Sequence, residues 1–220
     1  MPKTNKSVET VLAELRTGIQ RGRYAPGQRL ITSELAKYLR TSLAPVREAL
    51  HILVGEGLVD IRPNKGASVM TLTHQTFIDG LQVLEATGLV ALRLIAARLK
   101  DPKIRTEISK ALDAITDAGK RRNSHDFFSA IAASHRLVNE YSGNSYLNPI
   151  LNRIHLEYFY RQMADCLPDG YWDRYTANYQ RVGKALSSGD SRGAERAWTQ
   201  HIRWVIAMIA EHARQNRDQR

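Results

Sequence analysis

Residues 42 to 67, Ser-Leu-Ala-Pro-Val-Arg-Glu-Ala-Leu-His-Ile-Leu-Val-Gly-Glu-Gly-Leu-Val-Asp-Ile-Arg-Pro-Asn-Lys-Gly-Ala, leave a folding chain few options, because the pattern changes from helical to strand-like and then turns sharply. Val46, Ala49, Leu50, Leu53 and Val54 recur at three-and-four spacing. That spacing predicts a helix beginning near Ala44, with the apolar stripe inward and Ala44, Arg47, Glu48 and His51 outward. After Gly57, Leu58 to Ile61 and Ala67 to Leu72 read as strands. They join at Pro63-Asn-Lys-Gly66, where glycine can supply a positive φ. A short helix with a basic outer face, followed by a hairpin, suits a groove.

The residues upstream extend this reading. Ser7 is placed to cap a first helix whose stripe is Val8, Val11, Leu12, Leu15 and Ile19, ending near Gly22. Tyr24-Ala-Pro-Gly27 is a turn, and Thr32 or Ser33 is expected to cap a second short helix with Leu35, Ala36 and Leu39 inward. Two short helices a few residues apart make a helix-turn-helix, and the hairpin after them makes a wing.

Charge separates the possible partners. The chain carries a net +10, and residues 1 to 75 hold eleven lysines and arginines against six acids, about twice the density of positive charge found in the remainder. A polyanion is the expected partner of that end. Here Thr41 and Ser42 precede the third helix, where hydroxyls and free N–H groups can meet a phosphate. Arg47 lies one turn in and can fork onto a guanine or bridge phosphates. Lys65 and Gly66 at the wing tip offer charge and a close backbone approach to the minor groove. Ser33, Arg40 and Ala44 complete the candidate DNA-facing set.

From Thr73 the strand signals vanish and long helical patterns follow, near 76 to 99, 102 to 121, 125 to 142, 145 to 165, 170 to 188 and 190 to 214. The expected architecture is mostly α: a winged helix-turn-helix domain over 1–73, a boundary at Thr73 to Gln75, and an all-helical bundle of about six helices over 76–214. The tail with Arg214, Arg217 and Arg220 is expected to fray. Cys166 is the single cysteine, so no intrachain disulfide forms. No stretch approaches the roughly 20 apolar residues that cross a bilayer. With no apolar run of a signal peptide at the first residues, a cytoplasmic location is expected.

In the helical part, Phe128, Ile131, His135 and Val138 share a face, as do Tyr175, Tyr179, Val182 and Leu186, and Ala194, Ala197, His201, Val205 and Met208. Polar groups converging in a bundle core mark a cavity for a small molecule. Arg161 is a candidate partner for a carboxylate. Glu48-x-x-His51 has the spacing of a carboxylate-bridged metal pair on one helical face, but the second copy that such a bundle site needs is missing from the sequence.

The segments Leu15-Arg-x-Gly-Ile19, Gly22-x-Tyr-x-Pro-Gly-x-Arg-Leu30, Ser33-Glu-Leu-Ala36, Pro45-Val-Arg-Glu-Ala-Leu50, Glu56-Gly-Leu-Val59 and Pro63-x-Lys-Gly-Ala67 resemble the DNA-binding domain of GntR-family bacterial transcriptional regulators over the first 70 residues. More weakly, His135 to Asn144, and Gly189-Asp190 followed by His201, resemble the helical FCD effector domain of the FadR branch. The resemblance implies a homodimer on a palindromic double-stranded DNA operator, most simply a repressor. Its affinity would be set by a small organic acid or similar metabolite held around Ile131, His135, Arg161, Tyr179 and His201. Two departures from the family pattern bear on base reading: Arg40 stands where the family has Gly, and Leu43 where it has Arg. The family also commonly binds a divalent metal through an Asp and three His. Those positions here are Ile131, His135, Tyr179 and His201, so a metal would have only His135 and His201, and no metal is favoured. A helical metalloenzyme with a DNA-binding appendage and a non-specific architectural DNA-binding protein are the competing readings. No nucleophile, base and orienting group stand at readable spacing to support the first.

Overall fold

The computed structural model describes residues 6–63, 65–164, 167 and 170–218, and the chain divides into two compact units, one ending at Thr71 and the other beginning at Leu72. Cys166, the wing-tip Asn64, Pro168-Asp169 and the tail end at Arg220 lie outside the described residues.

The first unit is three helices and a small sheet. Helix α1 (Val8–Gln20) starts at Ser7, whose hydroxyl accepts from the Thr10 N–H, and it buries Val11, Leu15 and Ile19. Helices α2 (Thr32–Leu39) and α3 (Leu43–Glu56) follow, and α3 stops at Gly57, where φ is +80°. Strands β1 (Arg29–Leu30), β2 (Val59–Arg62) and β3 (Gly66–Val69) form an antiparallel sheet in the order β1-β3-β2. Within it Val59 stands opposite Val69 and Arg62 opposite Gly66. Strand β1 adds Arg29 opposite Ser68 and Leu30 opposite Ala67. Two residues are too few to show a period, and the sequence reading gave no strand there.

Local expectations are corrected at two points. Neither Thr32 nor Ser33 caps α2: the cap position is Ile31, which makes no side-chain bond, and Thr32 is the first helical residue. Val54 is 37% exposed, because Val46, Ala49, Leu50 and Leu53 already fill the buried face of α3. Half-buried Arg16 forks onto Glu56, with Nε at 2.9 Å from Oε2, and so ties α1 to the end of α3.

The second unit holds α4 (His74–Ala96), α5 (Pro102–Arg121), α6 (Ser124–Ser142), α7 (Leu147–Ile154), α8 (Leu156–Ala164), α9 (Tyr171–Ser187) and α10 (Ser191–Asp218). Thr73, Asp101 and Asn123 cap α4, α5 and α6 by accepting from Thr76, Lys103 and Asp126 N–H groups. Among the described residues seven helices replace the six expected. The segment read as one helix over 145 to 165 breaks at His155, which takes a left-handed φ of +50° between α7 and α8. That break turns the buried face Leu156, Tyr160 and Met163 of α8 into the bundle independently of α7. Gly88 lets α4 and α10 meet closely: a Cβ there would lie 2.3 Å from Nε1 of Trp198, whose N–H donates to the Glu85 carbonyl. Among the described residues no helix is long and apolar enough to cross a membrane.

Candidate nucleic-acid interface and helical-unit cavity

The turn between α2 and α3 is a Schellman motif. Arg40 N–H donates to Lys37 O at 3.2 Å and Thr41 N–H to Ala36 O at 2.9 Å. This geometry needs a left-handed residue at position 40, and Arg40 supplies it with φ +55° and ψ +46°. Glycine, the residue the family has there, takes that conformation without strain. The turn thus keeps its geometry while gaining an exposed guanidinium.

At the start of α3, Ser42 is the cap residue with extended backbone and no side-chain cap bond, so its exposed hydroxyl stays uncommitted. Leu43, Ala44 and Arg47 are exposed beside it. Among the described residues no ion pair engages Arg40, Arg47 or Lys65, whereas nearby Arg62 is held 2.6 Å from Asp60. Uncommitted cations are what a phosphate or guanine contact requires, since no existing partner must be displaced. Ser33 is exposed on α2. Gly66 has φ +76° at the wing, and Lys65 N–H closes the turn onto Arg62 O at 3.1 Å.

Thr41 corrects the sequence reading. It is 3% exposed and its hydroxyl is buried without a partner, so it packs beneath the turn instead of reaching the surface. Arg29 was missed: its guanidinium comes within 3.8 Å of the place a Cβ on Gly66 would occupy, which adds a cation beside the wing. Its only sequence signal was the Gln-Arg-Leu run after the Gly27 turn.

In the second unit a cavity of about 60 Å³ is walled by α4, α5, α6, α9 and α10. His135 and Tyr179 line it; Ile131, Arg161 and His201 do not. Ile131 is fully buried in the apolar core, and Arg161 is a half-buried α8 residue whose Nε is buried without a partner. Among the described residues the wall holds no Lys or Arg, so the charge complement expected of an organic-acid site is missing from it.

The polar group at one end of the cavity is built from aromatic side chains. Nε2 of His135 lies 3.1 Å from the Tyr179 hydroxyl and 3.1 Å from the Tyr160 hydroxyl. Burial holds His135 at about 4, so it is neutral at pH 7, and pushes both phenols above their usual range. His201 is 1% exposed, its Nδ1 is 3.0 Å from the Asn178 amide nitrogen, and burial lowers it to about 3. Tyr179 stands between the two imidazoles, its ring 5.0 Å from that of His201.

Those residues do not fit a divalent metal. Ile131 offers no donor, and the one bonded nitrogen of His135 is engaged by two phenols that burial keeps protonated. Among the described residues no three His, Cys, Asp or Glu side chains converge. A firm site needs such a set. Sequence reasoning missed Tyr160, passed over for its charged neighbour Arg161, and Asn139. The second was detectable, since it falls four residues after His135 on the same helical face.

A winged helix that presents uncommitted cations, followed by an all-helical unit with a partly open cavity, defines a two-domain transcription regulator. The chain belongs to the GntR family of bacterial regulatory proteins: the gntR-family model matches residues 7–69 and the FCD-domain model residues 81–203. It is 27% identical, over 84% of its length and 80% of the relative's, to a protein of Paenarthrobacter nicotinovorans designated "Probable D-xylose utilization operon transcriptional repressor". It is 24% identical to the HTH-type transcriptional repressor RspR of Escherichia coli K12, covering 93% of this chain and 89% of that one. Among solved structures, Escherichia coli McbR/YncC has the same fold, with TM-score 0.74 at 20% identity over 94% of this chain and 98% of that one. These families and relatives are regulators of transcription and not enzymes.

Proposed function

We propose that the chain is a homodimeric repressor that binds a specific palindromic operator and changes its affinity for that operator when a small metabolite enters the helical-unit cavity. In this reading the first unit reads DNA, while the second senses the metabolite and dimerises. The observation that carries it is the exposed reading edge of α3, where Ser42, Arg47 and the preceding Arg40 stand without partners among the described residues. Arg47 is assigned to a guanine or to bridged phosphates, Arg40 and Ser42 to phosphates, and Lys65 with Gly66 to the groove beside the wing. Ala44 offers a small apolar contact to a base edge, and Ser33 a further hydroxyl. Both relatives named above are called repressors, which supports the direction of regulation.

Dimerisation rests on α4. Val83, Val90 and Leu94 are 41%, 39% and 40% exposed and recur at spacings that share one helical face. A second copy laid on this stripe would bury it, and two-fold symmetry would match half-sites separated by about one DNA turn.

Selection from random duplex DNA at moderate salt tests the proposal. A palindromic consensus, bound by a dimer, is the expected result. Tight binding that falls steeply with salt but prefers no sequence would replace it with the architectural reading.

A further inference from the structure

Asn139 is 5% exposed, lines the cavity, and makes no side-chain hydrogen bond to any described residue. The other polar groups in the wall are already engaged. Ser134 donates to the Ile131 carbonyl at 2.8 Å, and His135 and Tyr179 bond each other at 3.1 Å. The Asn139 amide faces the cavity and is not among the buried polar atoms that lack a partner, so it is solvated there and free to bond a polar group that enters. The rest of the wall is apolar, from Ala91 and Leu92 on α4 to Val182 and Leu186 on α9.

We propose that this cavity takes a small uncharged organic molecule, a ketone or alcohol, with its oxygen on Asn139 and its carbon body against the apolar wall. This deepens the effector reading above and rests on it only for its regulatory consequence. A carbonyl would accept from the Asn139 amide N–H, and a hydroxyl would donate to its oxygen. A carboxylate would enter without a counter-charge: among the described residues the wall has no Lys or Arg, and its imidazole is neutral. Burying an unpaired ion in such a place is strongly unfavourable. Size agrees with this class. About 60 Å³ exceeds the space one water needs, about 10–15 Å³, so a small guest fits, and the partly open mouth sets no sharp upper limit.

The test uses the full chain without DNA, titrated with acetone, 2-butanol, sodium butyrate or zinc, following the Trp198 indole N–H resonance and the thermal midpoint. Acetone and 2-butanol should shift the Trp198 resonance saturably and raise the midpoint by a few degrees, while butyrate and zinc at equal concentration should do neither. Asn139→Leu should weaken the neutral ligands tenfold or more. Ala111→Leu, which fills the cavity from α5, should abolish the saturable shift while the circular dichroism melt stays cooperative. Butyrate or zinc binding as tightly as the neutral probes would overturn the proposal. So would a neutral response that does not saturate or survives in Ala111→Leu. Because no DNA is present, saturable binding together with a failed operator selection would leave the cavity assignment standing and remove only the regulatory reading.

Discussion

The Tyr179 hydroxyl meets Nε2 of His135 at 3.1 Å, and the Tyr160 hydroxyl meets the same nitrogen at the same distance. One ring nitrogen offers either a proton or a lone pair, so the three groups share a hydrogen-bond chain suited to a neutral imidazole. Tyr179 therefore spends on its neighbour the histidine nitrogen that a metal would need. The aromatic cluster around it, Phe128 stacked on Tyr160 at 5.5 Å and Tyr175 on Tyr179 at 5.9 Å, keeps these phenols in place.

Restoring the missing donors should restore a metal. Purified wild type incubated with zinc and desalted is expected to retain well under one equivalent. The double variant Ile131→Asp with Tyr179→His should retain about one and melt higher with zinc than without. Ile131 is fully buried, so Ile131→Asp alone should lose about 3–5 kcal/mol of stability. Stoichiometric zinc in the wild type, measured by elemental analysis, would contradict the assignment.

Acid should destabilise the helical unit through its histidines. His135 titrates at about 4 and His201 at about 3 in the folded chain, against 6.5 when unfolded. Between those values the unfolded state binds more protons, so stability is full above about pH 6.5 and falls as the pH drops toward 4. Each histidine contributes up to roughly 3 kcal/mol of that loss. Denaturant midpoints taken from pH 7 to pH 4 should show the fall, and His135→Gln should make it shallower. A flat profile in the wild type would refute burial as the cause.

Arg40 trades stability for charge. Its φ of +55° costs a non-glycine residue about 1 kcal/mol, so Arg40→Gly should stabilise the first unit by about that amount. The same variant should bind DNA more weakly, and the slope of log affinity against log salt should fall by about one. Higher stability with unchanged binding would remove Arg40 from the interface.

The winged helix was legible because its signals are local: caps, a change of hydrophobic period and a glycine turn lie within a few residues of one another. The exceptions have physical reasons. Strand β1 is held by its pairing with β3, a tertiary contact that Arg29 and Leu30 do not announce. The break at His155 needs a left-handed residue that no glycine marks. Thr41 looked like a phosphate ligand by type and position, but the Schellman turn folds it inward. In the helical unit, periodicity found the faces of His135 and Tyr179. It could not say which residues on those faces border empty space, so Ile131 and His201 proved to be packed and Asn139 open to the cavity.

The α4 stripe makes a separate demand. Val90→Glu should shift the chain from dimer to monomer in light scattering at micromolar concentration, because one charge in an apolar interface is left unpaired twice by the two-fold axis. The melt of each unit should change little, since Val90 is already 39% exposed. A dimer that survives Val90→Glu and Leu94→Glu together would place the interface elsewhere.

Arg47 and Lys65 should fail in different ways. Arg47 stands one turn into α3 on its exposed face, where a guanidinium can fork onto guanine O6 and N7. Lys65 stands in the wing turn, where an ammonium meets phosphate as a point charge. Arg47→Ala should therefore cost about 1–3 kcal/mol on the selected operator and flatten the preference at one base pair of each half-site. Lys65→Ala should weaken all duplexes alike and lower the salt slope by about one, leaving the consensus intact. Arg47→Lys separates the two roles further, since it keeps the charge but loses the fork: recovery of affinity without recovery of the base preference is the expected outcome. If Arg47→Ala instead weakens every sequence equally, Arg47 is a phosphate contact, and the base reading passes to Ala44 and the exposed Leu43 beside it.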